Sequence, residues 1–397
     1  MITKGLLDKL YEAASIQRWN DHVRPVEFTE LDKQAHKMIL AYLLGRLEES
    51  ERQAEIDWLK LIEGGIFEFF PRVILTDIKA PVFHKLMSQK GREINTLVLK
   101  EVDEDIRGIK GDFAGKFRRY LFDSGYARFE KRILKAAHYL ATNWEFQIIY
   151  NTAPFIYGID KTKEEIENQI EDHYDLIGVQ KISLRKKSFG FIDLCAQLRF
   201  QQRWAHSQRV PKTSVLGHML IVAMMSYFCS IQMGACPGRI RNNFFCGLFH
   251  DLPEVLTRDI VSPVKTSVEG LDEIIKAYEK MQFEERLLPL IPPPMREEVI
   301  YFIEDEFSNR IKEGETVKRG IPGAEMSELY NEDRFSPIDG EMIRACDKLA
   351  AFIEASLSIR HGISSHHLEE GKKLIYEKYK DERPGGIDFG KLFDFFN

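Results

Sequence analysis

Phe249-His250-Asp251-Leu252-Pro253-Glu254-Val255-Leu256-Thr257-Arg258-Asp259-Ile260-Val261-Ser262-Pro263-Val264-Lys265 aligns without a gap on Phe67-Glu68-Phe69-Phe70-Pro71-Arg72-Val73-Ile74-Leu75-Thr76-Asp77-Ile78-Lys79-Ala80-Pro81-Val82-Phe83. The framework residues recur, whereas most of the residues able to do chemistry do not. A histidine precedes each stretch by the same interval, 32 residues from His218 to His250 and 32 from His36 to Glu68. An interval kept twice indicates a duplicated unit in which one copy retains a reactive set.

The correspondence continues on both sides. Gly5, Asp8, Gln17, Arg18, Trp19 and Arg24 match Gly190, Asp193, Gln202, Arg203, Trp204 and Arg209 at an offset of 185, which becomes 182 from His36 and His218 onward. Ala136-Ala137-His138-Tyr139-Leu140-Ala141 and Glu145 match Ala345-Cys346-Asp347-Lys348-Leu349-Ala350 and Glu354 at 209. The second copy therefore carries about 27 extra residues, expected in a loop near 308–339, where Gly314, Gly320, Gly323 and Pro337 interrupt a polar stretch. That insertion reads either as a lid over a site or as a surface loop whose added length costs little stability. Two domains are expected, a degenerate copy over residues 1–170 and an intact one over 171–397. The charged stretch Lys161 to Lys187 holds the boundary, part of it as a connecting helix.

Apolar residues recur at three- and four-residue intervals, as in Leu271, Ile274, Ile275, Tyr278 and Met281, and few stretches alternate as strands do. The fold class expected is all-α, punctuated at Pro253, Pro263 and Pro292-Pro293-Pro294. With 397 residues, 44% apolar and 30% charged, each copy has material for a core. A net charge of −6 argues against a nucleic-acid partner, which calls for a basic face. Arg185-Lys186-Lys187 reads as a solvated linker.

Five cysteines, an odd number without CxxC spacing, read as reduced and mostly buried thiols. Met1 to Lys9 lacks the apolar region of a signal peptide, so a cytoplasmic location is expected. Thr213 to Cys236 contains no Asp, Glu, Lys or Arg and has the length of a membrane span. Its Ser214, Gly217, His218, Ser226, Ser230 and Gln232 favour a buried core helix, and no membrane association is expected.

His218, the His250-Asp251 doublet and Asp347 supply two imidazoles and two carboxylates from three segments. A mixed nitrogen and oxygen set suits one divalent ion such as Mn, Co, Mg, Fe or Zn. Glu254 lies four residues after His250 and is expected one turn on along the same helix face, placed to hold a water and accept its proton. Asp259 is a candidate second acceptor. In the first copy Glu68, Phe69, Arg72 and His138 stand in place of His250, Asp251, Glu254 and Asp347. Phenylalanine cannot ligate and arginine cannot serve as a base, so catalysis there is not expected. His36, Glu68 and His138 leave a two-histidine, one-carboxylate trio as an alternative metal set.

In this order the residues resemble the HD-domain metal-dependent phosphohydrolases, particularly the bacterial YfbR-like 5'-deoxynucleotidase group. The resemblance covers most of Gln202 to Glu354 and is most specific over His250 to Lys265. It implies an all-α HD fold, here in a tandem duplication, with metal ligands at His218, His250, Asp251 and Asp347 and a catalytic Glu254. It also implies that Arg203 contacts phosphate and Trp204 the sugar of a nucleotide, roles suited to a guanidinium fork and an indole face. Lys265 is a further candidate phosphate contact. Gly217 departs from the group, which commonly has an acidic residue there, and so does the insertion before Asp347. The implied activity is a phosphomonoesterase on (deoxy)nucleoside 5'-monophosphates. Alternatives are hydrolysis of nucleoside triphosphates or another small phosphate ester, and a nucleotide-responsive regulator or scaffold. Fusion of an ancestral symmetric dimer would give an intramolecular pseudo-dimer.

Overall fold

Several helices begin where the sequence supplies a capping oxygen. Thr3, Thr29, Asp57 and Ser214 accept the backbone N–H of Leu6, Asp32, Lys60 and Gly217, satisfying first-turn donors that have no partner within the helix. A computed structural model describes residues 2–76, 78–258 and 270–397. The fold is all-α. In the first half the helices are α1 (Lys4–Glu12), α2 (Glu30–Arg52), α3 (Trp58–Leu75), α4 (Ala80–Ile106), α5 (Phe113–Phe122) and α6 (Arg128–Thr152). Next come α7 (Ile159–Glu171), α8 (Ile177–Ser183), α9 (Lys187–Gln197), α10 (Val215–Met233) and α11 (Pro237–Phe249). After them stand α12 (Leu271–Gln282), α13 (Arg296–Ile303), α14 (Gly323–Glu328), α15 (Gly340–Arg360), α16 (His366–Tyr379) and α17 (Phe389–Asp394).

One apolar core runs through both halves, from Leu6 and Leu40 to Phe245, Phe302 and Phe393. Helix α10 lies at its centre, against α2, α11 and α15. It is the one described helix long and apolar enough to cross a membrane, and 94% of its apolar window is buried inside the protein. Its close approach to α11 depends on Gly247, where a Cβ would lie 2.9 Å from the Ala223 Cα. On the α2 side a Cβ at Gly217 would lie 2.9 Å from Leu31 Cδ2 and 3.0 Å from Asp32 Oδ1. The missing acidic side chain at position 217 is thus explained by space, and an aspartate of the other half fills it, bonded to Ser214.

Several local geometries occur twice. Strand β1 (Gln17–Arg18) pairs antiparallel with β2 (Phe28–Thr29), with Gln17 opposite Thr29; Gln202 forms the same kind of bridge with Ser214. Trp19 and Trp204 both adopt left-handed backbone, φ 57 and φ 58. For a residue with a Cβ this costs about 1–2 kcal/mol. Both are held by the same bond, the indole N–H of Trp19 donating to Glu145 at 2.8 Å and that of Trp204 to Glu354 at 3.0 Å.

The insertion departs from its expectation. The segment near 308–339 is more than a loop: β3 (Arg310–Glu313) and β4 (Thr316–Arg319) form a hairpin followed by α14. It is tied to the start of α11 by Arg239, which is buried, ion-paired to Asp339 and donates to the Met326 carbonyl at 3.0 Å. Arg239 precedes His250 by eleven residues, about 16 Å along a helix, so this anchor lies far from the doublet. The stretch Lys161 to Lys187 folds back on the first half, with the Ile177 N–H donating to Glu48 at 2.6 Å. Helix α12 forms as its periodicity suggests, yet Ile274, Tyr278 and Met281 are exposed. All five cysteines are free, four of them buried.

Candidate metal and substrate site

Three helices bring the ligand set together. His218 is the fourth residue of α10, His250 caps the end of α11, and Asp347 lies in the second turn of α15. All three are buried, and one donor atom from each lies within 4.8 Å of the others. His218 sits between two carboxylates, Nε2 2.9 Å from Asp347 Oδ1 and Nδ1 3.3 Å from Glu354 Oε1. Nδ1 of His250 donates to the Gly247 carbonyl at 2.8 Å, which aims Nε2 at the same space. That Nε2 lies 3.1 Å from Asp251 Oδ2, without the alignment of a hydrogen bond.

The charge balance is that of a site built for a cation. Burial disfavours a charged His250, but the carboxylates of Asp251 and Asp347 outweigh it, and its proton affinity is pushed up to about 9. Burial likewise works against ionised Asp347, yet Lys348 and His218 hold its carboxyl well below the usual range. Asp251 is depressed too, burial being outweighed by His250 and Arg203. Two imidazole nitrogens and carboxylate oxygens form a donor set that fits a divalent ion of borderline or hard character.

The residues expected to meet substrate border this set. The Arg203 guanidinium lies 3.8 Å from both Asp251 Oδ2 and Asp347 Oδ1. Trp204 follows it, its indole fixed by Glu354 and packed on α16 at Gly371. Glu254 is buried, but not by continuing the helix of His250. Helix α11 stops at Phe249, Asp251 leaves helical geometry at φ −98 and ψ 12, and Leu252–Leu256 form a 3₁₀ turn entered through Pro253. With three residues per turn, Glu254 lines up with Asp251 instead of His250. In the first half, by contrast, α3 continues as α-helix through Pro71 to Leu75. Asp259 and Lys265 lie outside the described residues.

Two residues of the site were not singled out from the sequence. Glu354, buried, accepts from Trp204 and from Thr213, each at 3.0 Å, and lies 3.3 Å from His218 Nδ1, and burial notwithstanding, Arg209 and His218 hold it at about 2. Its match with Glu145 in the repeat was the available signal. Lys348 Nζ stands 2.8 Å from Asp347 Oδ2 and adds a cation beside Arg203.

The first half does not assemble its trio. Glu68 is engaged by Lys37 Nζ and the Tyr120 hydroxyl, each at 2.6 Å. His138 meets the Lys33 ammonium, and His36 faces the Arg199 guanidinium at 3.4 Å. Ammonium groups stand among these side chains, and among the described residues the one cluster suited to a metal is that of His218, His250 and Asp347.

Residues 195–376 match the family model described as HD domain. A 5'-deoxynucleotidase of Vibrio atlanticus (strain LGP32) is 28% identical over 209 residues, which cover 51% of this chain and 91% of that protein. The 5'-deoxynucleotidase YfbR of Escherichia coli is 27% identical over 176 residues, 44% of this chain and 86% of the relative.

Proposed function

We propose, from the premise that residues 195–376 are an HD domain and the chain a metal-dependent hydrolase of that superfamily, that it is a phosphomonoesterase acting on (deoxy)nucleoside 5'-monophosphates. The observation that carries this reading is the convergence of His218, His250 and Asp347 beneath the Arg203 guanidinium. His218, His250, Asp251 and Asp347 would hold one divalent ion, Mn, Co, Mg, Fe or Zn, which supplies a Lewis acid that acidifies water and draws charge from the phosphoryl group.

The chain's own side chains do the rest. Arg203 and Lys348 neutralise the non-bridging phosphoryl oxygens as charge builds on them. Trp204, pinned by Glu354, gives the sugar a fixed wall. Glu254 accepts a proton from the attacking water through a carboxylate oxygen. The new bond joins the water oxygen to phosphorus, the bond to the nucleoside 5'-oxygen breaks, and the proton taken up by Glu254 passes to the leaving oxygen, which ends as the hydroxyl. Asp259 as a helper to Glu254, and Lys265 as a phosphate contact, belong to the same reading.

We further infer that residues 1–170 and 171–397 are two copies of one ancestral unit packed as an intramolecular pseudo-dimer. The paired tryptophan geometries, the matched strand bridges and the packing of α2 on its counterpart α10 support this.

The purified chain is tested on a panel of nucleoside monophosphates with Mn, Co or Mg, reading free phosphate. E254Q is expected to lower turnover by roughly 10²–10⁴-fold, the usual scale of a lost general base. Activity that survives E254Q, or release of pyrophosphate or tripolyphosphate from triphosphates alone, would replace this reading.

A further inference from the structure

Four cations gather in the first half where the second half assembles its metal ligands. Lys37 faces Glu68, the counterpart of His250, at 2.6 Å, and Lys33 faces His138, the counterpart of Asp347. Both lysines are fully buried. Arg18 is matched by Glu30 and Glu145, each at 2.9 Å, and Lys37 by Glu68. Those pairs use the nearby acids. Lys33 has no carboxylate at ion-pairing distance among the described residues; its side-chain partner is the imidazole of His138. Arg72, half-buried, stacks on Phe83 with its guanidinium 5.1 Å from the ring centre and has no carboxylate partner among the described residues.

A buried ammonium without a carboxylate in contact is costly, and burial, against the pull of Glu30, holds the Lys33 amine well below its ordinary proton affinity until a ligand completes the pair. The local field is positive: burial, then Lys33, Arg72, Lys37 and Arg18, all hold down the proton affinity of His138. The charge of Glu68 is already met by Lys37 and the Tyr120 hydroxyl. Arg72 and His138 are both half-buried, so each can be reached by a group arriving from solvent.

We propose that the first half is a metal-independent site for the phosphoryl group of a phosphate ester, with Lys33, Arg72 and His138 as its donors. Lys33 and the Arg72 guanidinium stand in for the divalent ion. The site binds without cleaving, because Arg72 occupies the position of Glu254 and Phe69 that of Asp251. A phosphate ester held there acts as an effector of the chain instead of as its substrate.

The experiment is calorimetric titration of the full-length chain with inorganic phosphate in EDTA. Binding is read without turnover, so the result stands apart from the fate of the hydrolase reading. One saturable equivalent of phosphate is expected, weakened roughly tenfold or more by R72A, the scale of losing a charge-assisted phosphate contact. K33M is expected to remove it, whereas R203A in the other half leaves it in place. Should K33M fail to fold, R72A alone decides, its side chain being half-buried. No saturable binding in EDTA, or binding that R72A leaves unaltered, overturns the proposal.

Discussion

Glu354 accepts from an indole and a hydroxyl and lies 3.3 Å from a histidine ring nitrogen, all while buried, and so fixes His218 and Trp204 together. Outer partners of this kind set the orientation of a metal-binding imidazole. E354Q keeps the shape and removes the charge. Metal affinity, measured by calorimetry, is expected to fall roughly 10–100-fold, the range found for such partners. Unchanged affinity would show that His218 is oriented by packing alone.

His250 gives a pH dependence with a definite sign. In the folded, metal-free chain its imidazole is charged up to about 9, while an unfolded histidine releases its proton near 6.5. Below that lower value both states are protonated and the His250–Asp251 attraction is fully present. Between the two it is lost, because the unfolded state gives up a proton that the folded state retains. In EDTA the melting temperature is therefore expected to drop as pH rises from 6.5 to about 9. A metal displaces that proton, so the drop should vanish with saturating Mn. A metal-free melting temperature that rises over this window would reverse the assignment.

At the scale of elements, the relation of the doublet to Glu254 depends on a break in the chain. Spacing alone places Glu254 on the face of His250, but Pro253 cannot donate a backbone bond and the turn tightens to 3₁₀, aligning Glu254 with Asp251. The same proline position in α3 is absorbed into a continuing helix, so the alternative is not fixed by the shared residues. His250 depends in turn on how closely α11 meets α10. A methyl at Gly247 would press on the backbone of Val222 and Ala223 at 2.9–3.2 Å, and main chain cannot rotate aside. G247A is expected to cost about 1–3 kcal/mol in chemical denaturation, as overpacking does, and to weaken metal binding with it. A stability equal to the parent's would mean that the helices slide apart freely.

At the scale of the molecule, the halves fold on one core. Glu298 of the second half ties Arg46 at 3.1 Å to Arg241 at 2.6 Å and also accepts from Tyr42, so helices of both halves share one carboxylate. Residues 171–397 alone would expose the α10 face that α2 covers, including Gly217 and Ser214. The full chain should melt in one cooperative transition, and the 171–397 fragment should show none by calorimetry. A fragment that melts cooperatively near the parent's temperature would make the halves independent.

The sequence by itself determined the helical class and singled out His218, His250-Asp251 and Asp347 as candidate ligands, because periodicity is local and because the two histidines keep an interval that occurs twice, whereas Asp347 aligns only after a shift of 27 residues. Tertiary structure alone decided the rest. Glu354 reaches His218 and Trp204 across more than a hundred residues of chain through helix packing, its match with Glu145 being the one mark it carries in the sequence, while Lys348 enters beside its neighbour Asp347. The cations of the first half are legible as residue types, but not as a cluster. Lys33 and Lys37 look like ordinary solvated lysines until α2 is seen buried between α6 and α10, where their charge must be matched inside the protein.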